Sequence, residues 1–208
     1  MQATSSSSVL PLLMYSLASS MRLQTSGLLS LSVSDNSYLY ISIGGKKTLH
    51  SSSVVNVRFD PLSGRVVASA STDGKCYLTS CYDQETDASH TSGPFGQVTS
   101  FGETLLSFTV IGWVNTVSFS PDSTTLSYST HDCEINFVDI SKAGSGSSKE
   151  KPDKVLYKGN PFLCGQFINS TTYIGCGYDK VPFLFKKNGS SWAFVKYLDE
   201  GMTTEKQA

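Results

Sequence analysis

At 208 residues, with a net charge of −1 and a pI near 6.3, the chain can bury a real core but carries no electrostatic footprint for nucleic acid or an anionic membrane. Only 16% of its residues are charged, while Ser, Thr and β-branched residues are plentiful, a balance that favours β structure. Five cysteines (Cys76, Cys81, Cys133, Cys164 and Cys176), odd in number and without a C-x-x-C pair, argue against a zinc site or a disulfide framework and for buried free thiols in a reducing compartment.

Residues 1–27 are Ser-rich and hold one apolar run, residues 9–18, too short to span a bilayer. The opening MQATSSSS lacks the basic region of a secretory signal, so this segment is expected to be a disordered or artefactual leader. Next, Leu29, Leu31 and Val33 alternate with serines, Asp35-Asn36-Ser37 marks a turn, and residues 38–43 form a second β run that stops at Gly44-Gly45. That is half a unit. A complete one follows: Val55, Val57 and Phe59 share a face, residues 60–64 turn, and Val66, Ala68 and Ala70 form a second strand. Ser71-Thr72-Asp73-Gly74 then leads into residues 75–82. A polar insertion at residues 83–97 precedes a fourth strand at 103–110.

Residues 112–139 are the clearest meander in the chain. Trp113, Val117 and Phe119 are expected on one face, with Val114, Thr116 and Ser118 on the other. Pro121-Asp122-Ser123 breaks the run, Leu126 and Tyr128 mark a second strand, and Ile135 and Phe137 a third. Beyond a Gly-Ser linker at 141–153, residues 154–158 make its fourth strand. The last unit has strands at 162–167, 173–176, 181–185 and 192–198. Its final hairpin is signalled by Asn188-Gly189, both of which tolerate positive φ. Residues 199–208 read as a disordered tail. The glycosylation triplets at Asn169 and Asn188 are what a Ser- and Thr-rich chain produces by chance.

The units share landmarks. Phe59, Phe119 and Phe167 each end a first strand, and Asp73, Asp132 and Asp179 each sit in the turn before a third. Four strands every roughly 40 to 50 residues is the period of a β-propeller blade. Residues 28–198 are therefore expected to form a partial, all-β propeller. The three aspartates are structural turn residues whose carboxylates accept backbone N–H bonds, and they repeat because the fold repeats.

The units are similar to WD-repeat blades, without the Gly-His opening or Trp-Asp ending. More specifically, four segments resemble the propeller subunit (subunit 1) of the actin-related protein 2/3 complex: KKTLH with VVNVRFDPLSGRVVASASTDGKCYLTSCY, SGPFGQVTSFGETLLSF, GWVNTVSFSPDSTTLSYSTHDCEINFVD and PFLCGQFINSTTYIGCGYDKVPFLF. The second carries an insertion ending in the family's Phe-Gly-Glu motif, here Phe101-Gly102-Glu103. The resemblance implies a WD-repeat propeller of which this chain supplies about three and a half of seven blades. It also implies a non-catalytic scaffold in the cytoplasmic actin cytoskeleton, supporting nucleation and branching of actin filaments. The implied partners are the other subunits and the actin filament, with no nucleic acid, membrane or cofactor. The family's last blade and the protruding loop before it have no counterpart here, and an open arc of blades is expected to fold poorly alone. Two alternatives are a WD-repeat scaffold outside actin biology and a secreted propeller hydrolase or lectin.

No catalytic, cofactor or metal residues emerge. His50, His90 and His131 have no ligand spacing, and His131 beside Asp132 reads as a turn contact rather than a base and its orienting acid. Trp113, Phe119, Phe137, Phe183, Phe185 and Trp192 are expected in blade cores. The candidate partner-binding residues are Phe95, Phe101 and Glu103, at the insertion; the alternative is that the two aromatics fold back onto their own blade.

Overall fold

A computed structural model describes the backbone of residues 30–33, 39–42 and 46–48, and complete residues 49–82, 94–95, 101–141, 143 and 151–199. The leader, the tail past 199 and most of the insertion and the Gly-Ser linker lie outside these.

Every regular element among the described residues is a strand: β1 Ser30–Val33, β2 Leu39–Ser42, β3 Lys46–Thr48, β4 Val54–Phe59, β5 Val66–Ser71, β6 Lys75–Ser80, β7 Thr104–Thr109, β8 Val114–Phe119, β9 Thr125–Thr130, β10 Glu134–Asp139, β11 Asp153–Leu156, β12 Phe162–Asn169, β13 Thr172–Gly177, β14 Pro182–Asn188 and β15 Ser191–Tyr197. They form three four-stranded antiparallel meanders, β4 to β7, β8 to β11 and β12 to β15, preceded by a three-stranded sheet β1-β2-β3. The first sheet has one strand more than the sequence announced, because β3 pairs with β2 in register Tyr40↔Thr48 and Ser42↔Lys46.

The three meanders stack in chain order through their first strands: β4 packs on β8 and β8 on β12. This is blade-on-blade packing, and the chain is an incomplete β-propeller. Two cores result. Between the first two blades, Val66, Ala68, Ala70, Cys76 and Leu78 meet Val114, Val117, Phe119, Leu126 and Tyr128. Between the second and third, the core is almost entirely aromatic: Phe137 stacks on Trp192 with ring centroids 4.0 Å apart, and Tyr157, Phe162, Phe167, Tyr173, Phe183 and Phe185 surround them. Such close-packed rings add attraction beyond the area they bury.

Each first strand is irregular near its start. Register shifts fall between Val54 and Asn56 in β4, Val114 and Thr116 in β8, and Phe162 and Cys164 in β12. One extra residue in a strand switches the alternation, and this corrects the sequence reading of β8. Val114, expected opposite Val117, shares its core and is fully buried, while Trp113 stands outside at 53% exposure. The bulges also free side-chain amides to bond between blades. Asn56 Oδ1 accepts from the Val117 N–H at 3.4 Å, and Asn115 Nδ2 donates to the Phe162 carbonyl at 3.1 Å. Farther out, the Trp192 N–H donates to the Asp153 carboxylate, tying β15 to β11 of the preceding blade.

The last hairpin also differs. Asn188 pairs with Ser191, so the two-residue turn is Gly189-Ser190, and of these only Gly189 takes a positive φ, 61°. Of the five cysteines only Cys76 is buried, among apolar side chains that raise its pKa well above the usual thiol value; Cys81, Cys133 and Cys176 are half-buried and Cys164 is exposed. The expectation of uniformly buried thiols is therefore corrected: the face of β12 and β13 turned away from β8 to β11 has no neighbouring sheet among the described residues.

Candidate functional site

The loops that join one blade to the next, and the turns between second and third strands, lie at one end of the sheets. The three turns share a backbone form. Gly74, Cys133 and Lys180, the residues after Asp73, Asp132 and Asp179, have φ of 77°, 60° and 61°. Around each aspartate the incoming loop is gathered differently. Asp73 accepts the Ser51 N–H at 2.9 Å and the Lys75 N–H at 3.0 Å. Asp179 accepts the Asn160 N–H at 2.7 Å, the Asn160 side-chain amide and the Tyr157 hydroxyl at 3.1 Å. The Asn160 backbone bond leads in holding Asp179 below the usual carboxylate pKa. Asp132 lies against Gly112, where any side chain would strike its carboxylate.

In the first blade the carboxylate is part of a relay not visible in the sequence. His50 Nδ1 lies 3.1 Å from Asp73 Oδ2, and His50 Nε2 lies 2.8 Å from Ser69 Oγ. A neutral imidazole satisfies both contacts, donating from Nδ1 to Asp73 and accepting the Ser69 hydroxyl at Nε2. Burial lowers the His50 pKa and outweighs the opposing pull of Asp73. Burial also works to raise Asp73, but the bonds from Ser51 and His50 outweigh it and leave that carboxyl below its ordinary value. The order Ser-His-Asp matches a hydrolytic triad, yet Ser69 is 2% exposed and the ring of Tyr77 lies 4.9 Å from that of His50. A nucleophile must reach a substrate carbonyl, whereas this buried hydroxyl is turned to the imidazole, the one partner it has among the described residues. Sequence spacing missed the group because its members are 19 and 23 positions apart.

At the same end, apolar side chains face solvent. Ile111 is fully exposed, Trp113 is half-exposed with its ring centroid 5.1 Å from that of His131, and Tyr178, 54% exposed, sits edge-on to His131 at 6.5 Å. Two adjacent blades thus present a row of Ile111, Trp113, His131 and Tyr178. The assignment of Trp113 to a blade core is corrected. The other five aromatics of that set do pack within the two cores.

The insertion residues divide. Phe95 is 7% exposed and packs into the core between the first and second blades. Phe101 is half-buried and Glu103 exposed. Both stand at the neck of the insertion, where the Ser80 N–H donates to the Glu103 carbonyl at 2.8 Å and the Gly102 N–H returns to the Ser80 carbonyl at 2.9 Å. Among the described residues no cluster of three or more His, Cys, Asp or Glu side chains could hold a metal ion.

No protein-family model matches the chain. Over 153 residues, 73% of its length, it is 31% identical to actin-related protein 2/3 complex subunit 1A of Arabidopsis thaliana. It is 30% identical over 152 residues to subunit 1A-B of Xenopus laevis, and 27% identical over 140 residues to subunit 1 of Schizosaccharomyces pombe. These matches cover 39%, 39% and 36% of the relatives' own lengths, so the chain spans less than half of the curated proteins it matches. A repeating four-stranded meander, blades stacked through their first strands, and this run of matches together make the chain similar, over 73% of its length, to part of subunit 1 of the actin-related protein 2/3 complex.

Proposed function

We propose that the chain is a non-catalytic scaffold that joins an actin-related protein 2/3 complex in the cytoplasmic actin cytoskeleton and supports nucleation and branching of actin filaments. Its partners are the other subunits and the actin filament, and it needs no cofactor. The observation that carries this reading is the exposed row Ile111, Trp113, His131 and Tyr178, set on rigid blades of a chain similar to subunit 1 proteins. Exposed aromatics on an ordered platform are the usual anchors of protein recognition. Phe101 and Glu103, at the neck of the insertion, form a second contact on the outer edge, beside β7. The turn aspartates serve architecture: they fix the loops that carry the row.

The test is reconstitution. The full chain is mixed with a complex assembled without its own subunit 1, and the mixture is separated by size. Co-elution, weakened by a double change of Ile111→Ser and Trp113→Ala, supports the reading. Elution of the wild-type chain apart from the complex refutes it.

A further inference from the structure

We propose that Cys164 and Cys176 form a dithiol–disulfide site, oxidised by small-molecule disulfides of the glutathione class into a bond that staples β12 to β13. The register places the two residues directly opposite each other. Residues opposed in an antiparallel pair have Cα atoms about 4.5 to 5.5 Å apart, within the roughly 4.4 to 6.8 Å that a disulfide spans. The extra residue Leu163, just before Cys164, lets the strand yield locally. Both side chains lie on the face turned away from the aromatic core, since the alternate residues Tyr173, Gly175 and Gly177 are the buried ones. The Cys164 thiol already reaches across the ladder, its Sγ 3.8 Å from the Cys176 carbonyl. Cys164 is exposed and Cys176 half-buried, so a small reagent has access that the buried Cys76 denies.

The chemistry balances without an added acceptor. A thiolate of the pair attacks one sulfur of oxidised glutathione, giving a protein–glutathione mixed disulfide and releasing one glutathione thiolate, which takes up the proton lost by the attacking thiol. The second cysteine thiolate then attacks the protein-bound sulfur. The Cys164–Cys176 bond forms, the protein–glutathione bond breaks, and a second reduced glutathione leaves. The protein is oxidised by two electrons and one glutathione disulfide is reduced. Burial, then the neighbouring Cys176, raise the Cys164 pKa against smaller opposing contributions from the Cys176 backbone and Arg58. The thiol is therefore mostly protonated at neutral pH, and the exchange is slow enough to be trapped by acid.

The test uses the full chain, folded, in buffers of defined reduced-to-oxidised glutathione ratio, with acid quench, alkylation and tryptic peptide mapping. Both cysteines fall in one tryptic peptide, residues 159–180, which holds no other cysteine. The expected product is that peptide lighter by two hydrogens, formed at least about tenfold more favourably in the folded chain than in the same chain unfolded in urea. The Cys164→Ser and Cys176→Ser variants should each stop at the mixed disulfide. A wild-type peptide recovered as free thiols or as two mixed disulfides would overturn the proposal. So would a folded-state preference no greater than that of the unfolded chain.

Discussion

The Asp73 carboxylate lies 3.1 Å from His50 Nδ1 although 23 positions separate the two residues, and this contact closes the loop between β3 and β4 onto the turn between β5 and β6. His50→Ala would leave Asp73 and Ser69 without their shared partner inside the blade. The expected loss is about 2 to 3 kcal/mol of unfolding free energy, read from urea midpoints, with Ser69→Ala costing about 1 kcal/mol. Equal and negligible effects of both changes would show that the relay is decoration.

The same pair sets an acid response. The folded pKa of His50 lies below its ordinary 6.5, so between the two values the unfolded chain binds more protons, and stability falls as pH drops from 6.5. Asp73 is depressed as well, so its contribution is complete above the ordinary 3.8 and lost as pH falls below it. In the second blade Asp122 behaves alike: burial opposes the Ser120, Ser170 and Thr124 bonds, which prevail and bring it down to about 2. Thermal midpoints measured from pH 7 to pH 3 should fall in two stages, and His50→Asn should flatten the first. A rise in stability between pH 6.5 and 5 would contradict this assignment.

Lys180 sits exposed at φ 61°, where an L side chain crowds its own carbonyl. Lys180→Gly should raise stability by about 0.5 to 1 kcal/mol, the relief of strain exceeding the entropy lost by glycine. Cys133→Gly should gain less, because the Cys133 thiol donates to the Gly159 carbonyl at 3.0 Å. The pair of urea midpoints tests that ranking.

Asn115→Ala removes the amide that joins β8 to β12, at an expected cost of about 1 kcal/mol. Trp192→Ala deletes the ring stacked on Phe137, at about 3 to 5 kcal/mol. Both act on the joint between the second and third blades but at opposite ends of it, Asn115 at the Phe162 end of β12 and Trp192 beside the hairpin that closes β14, so a double-mutant cycle should come out close to additive. A coupling energy well above about 0.5 kcal/mol would mean that the amide and the aromatic core depend on each other.

The period of the meander, the turns that hold Asp73, Asp132 and Asp179, and the aromatics of the second core could be read in the sequence because they depend on local alternation and turn chemistry. What escaped depends on pairing between strands. A bulge at the start of β8 exchanged the fates of Trp113 and Val114, and no local pattern announces where a ladder slips. His50 looked like a lone histidine because its partners come from two later positions of the same blade. Phe95 shows the opposite problem: an aromatic in a polar insertion suits an interface and a core equally well, and its place in the first core was not legible in the sequence. For the candidate site, the loops could be foreseen, but not the row of Ile111, Trp113, His131 and Tyr178 that they present.

The two hydrogen bonds between Ser80 and residues 102 and 103 have a consequence for the history of the chain. They seal β6 to β7 below the insertion, so the sheet does not sense how many residues lie beyond them. Closing a longer loop costs little, about 0.6 kcal/mol for each doubling in length. Between Tyr82 and Phe95 the gene can therefore gain or lose codons in frame while the blade keeps its register, with Phe95 as an inner fixed point among the described residues. Divergence among relatives in this neighbourhood should show first as changes in length, and only later as changes in the strands on either side.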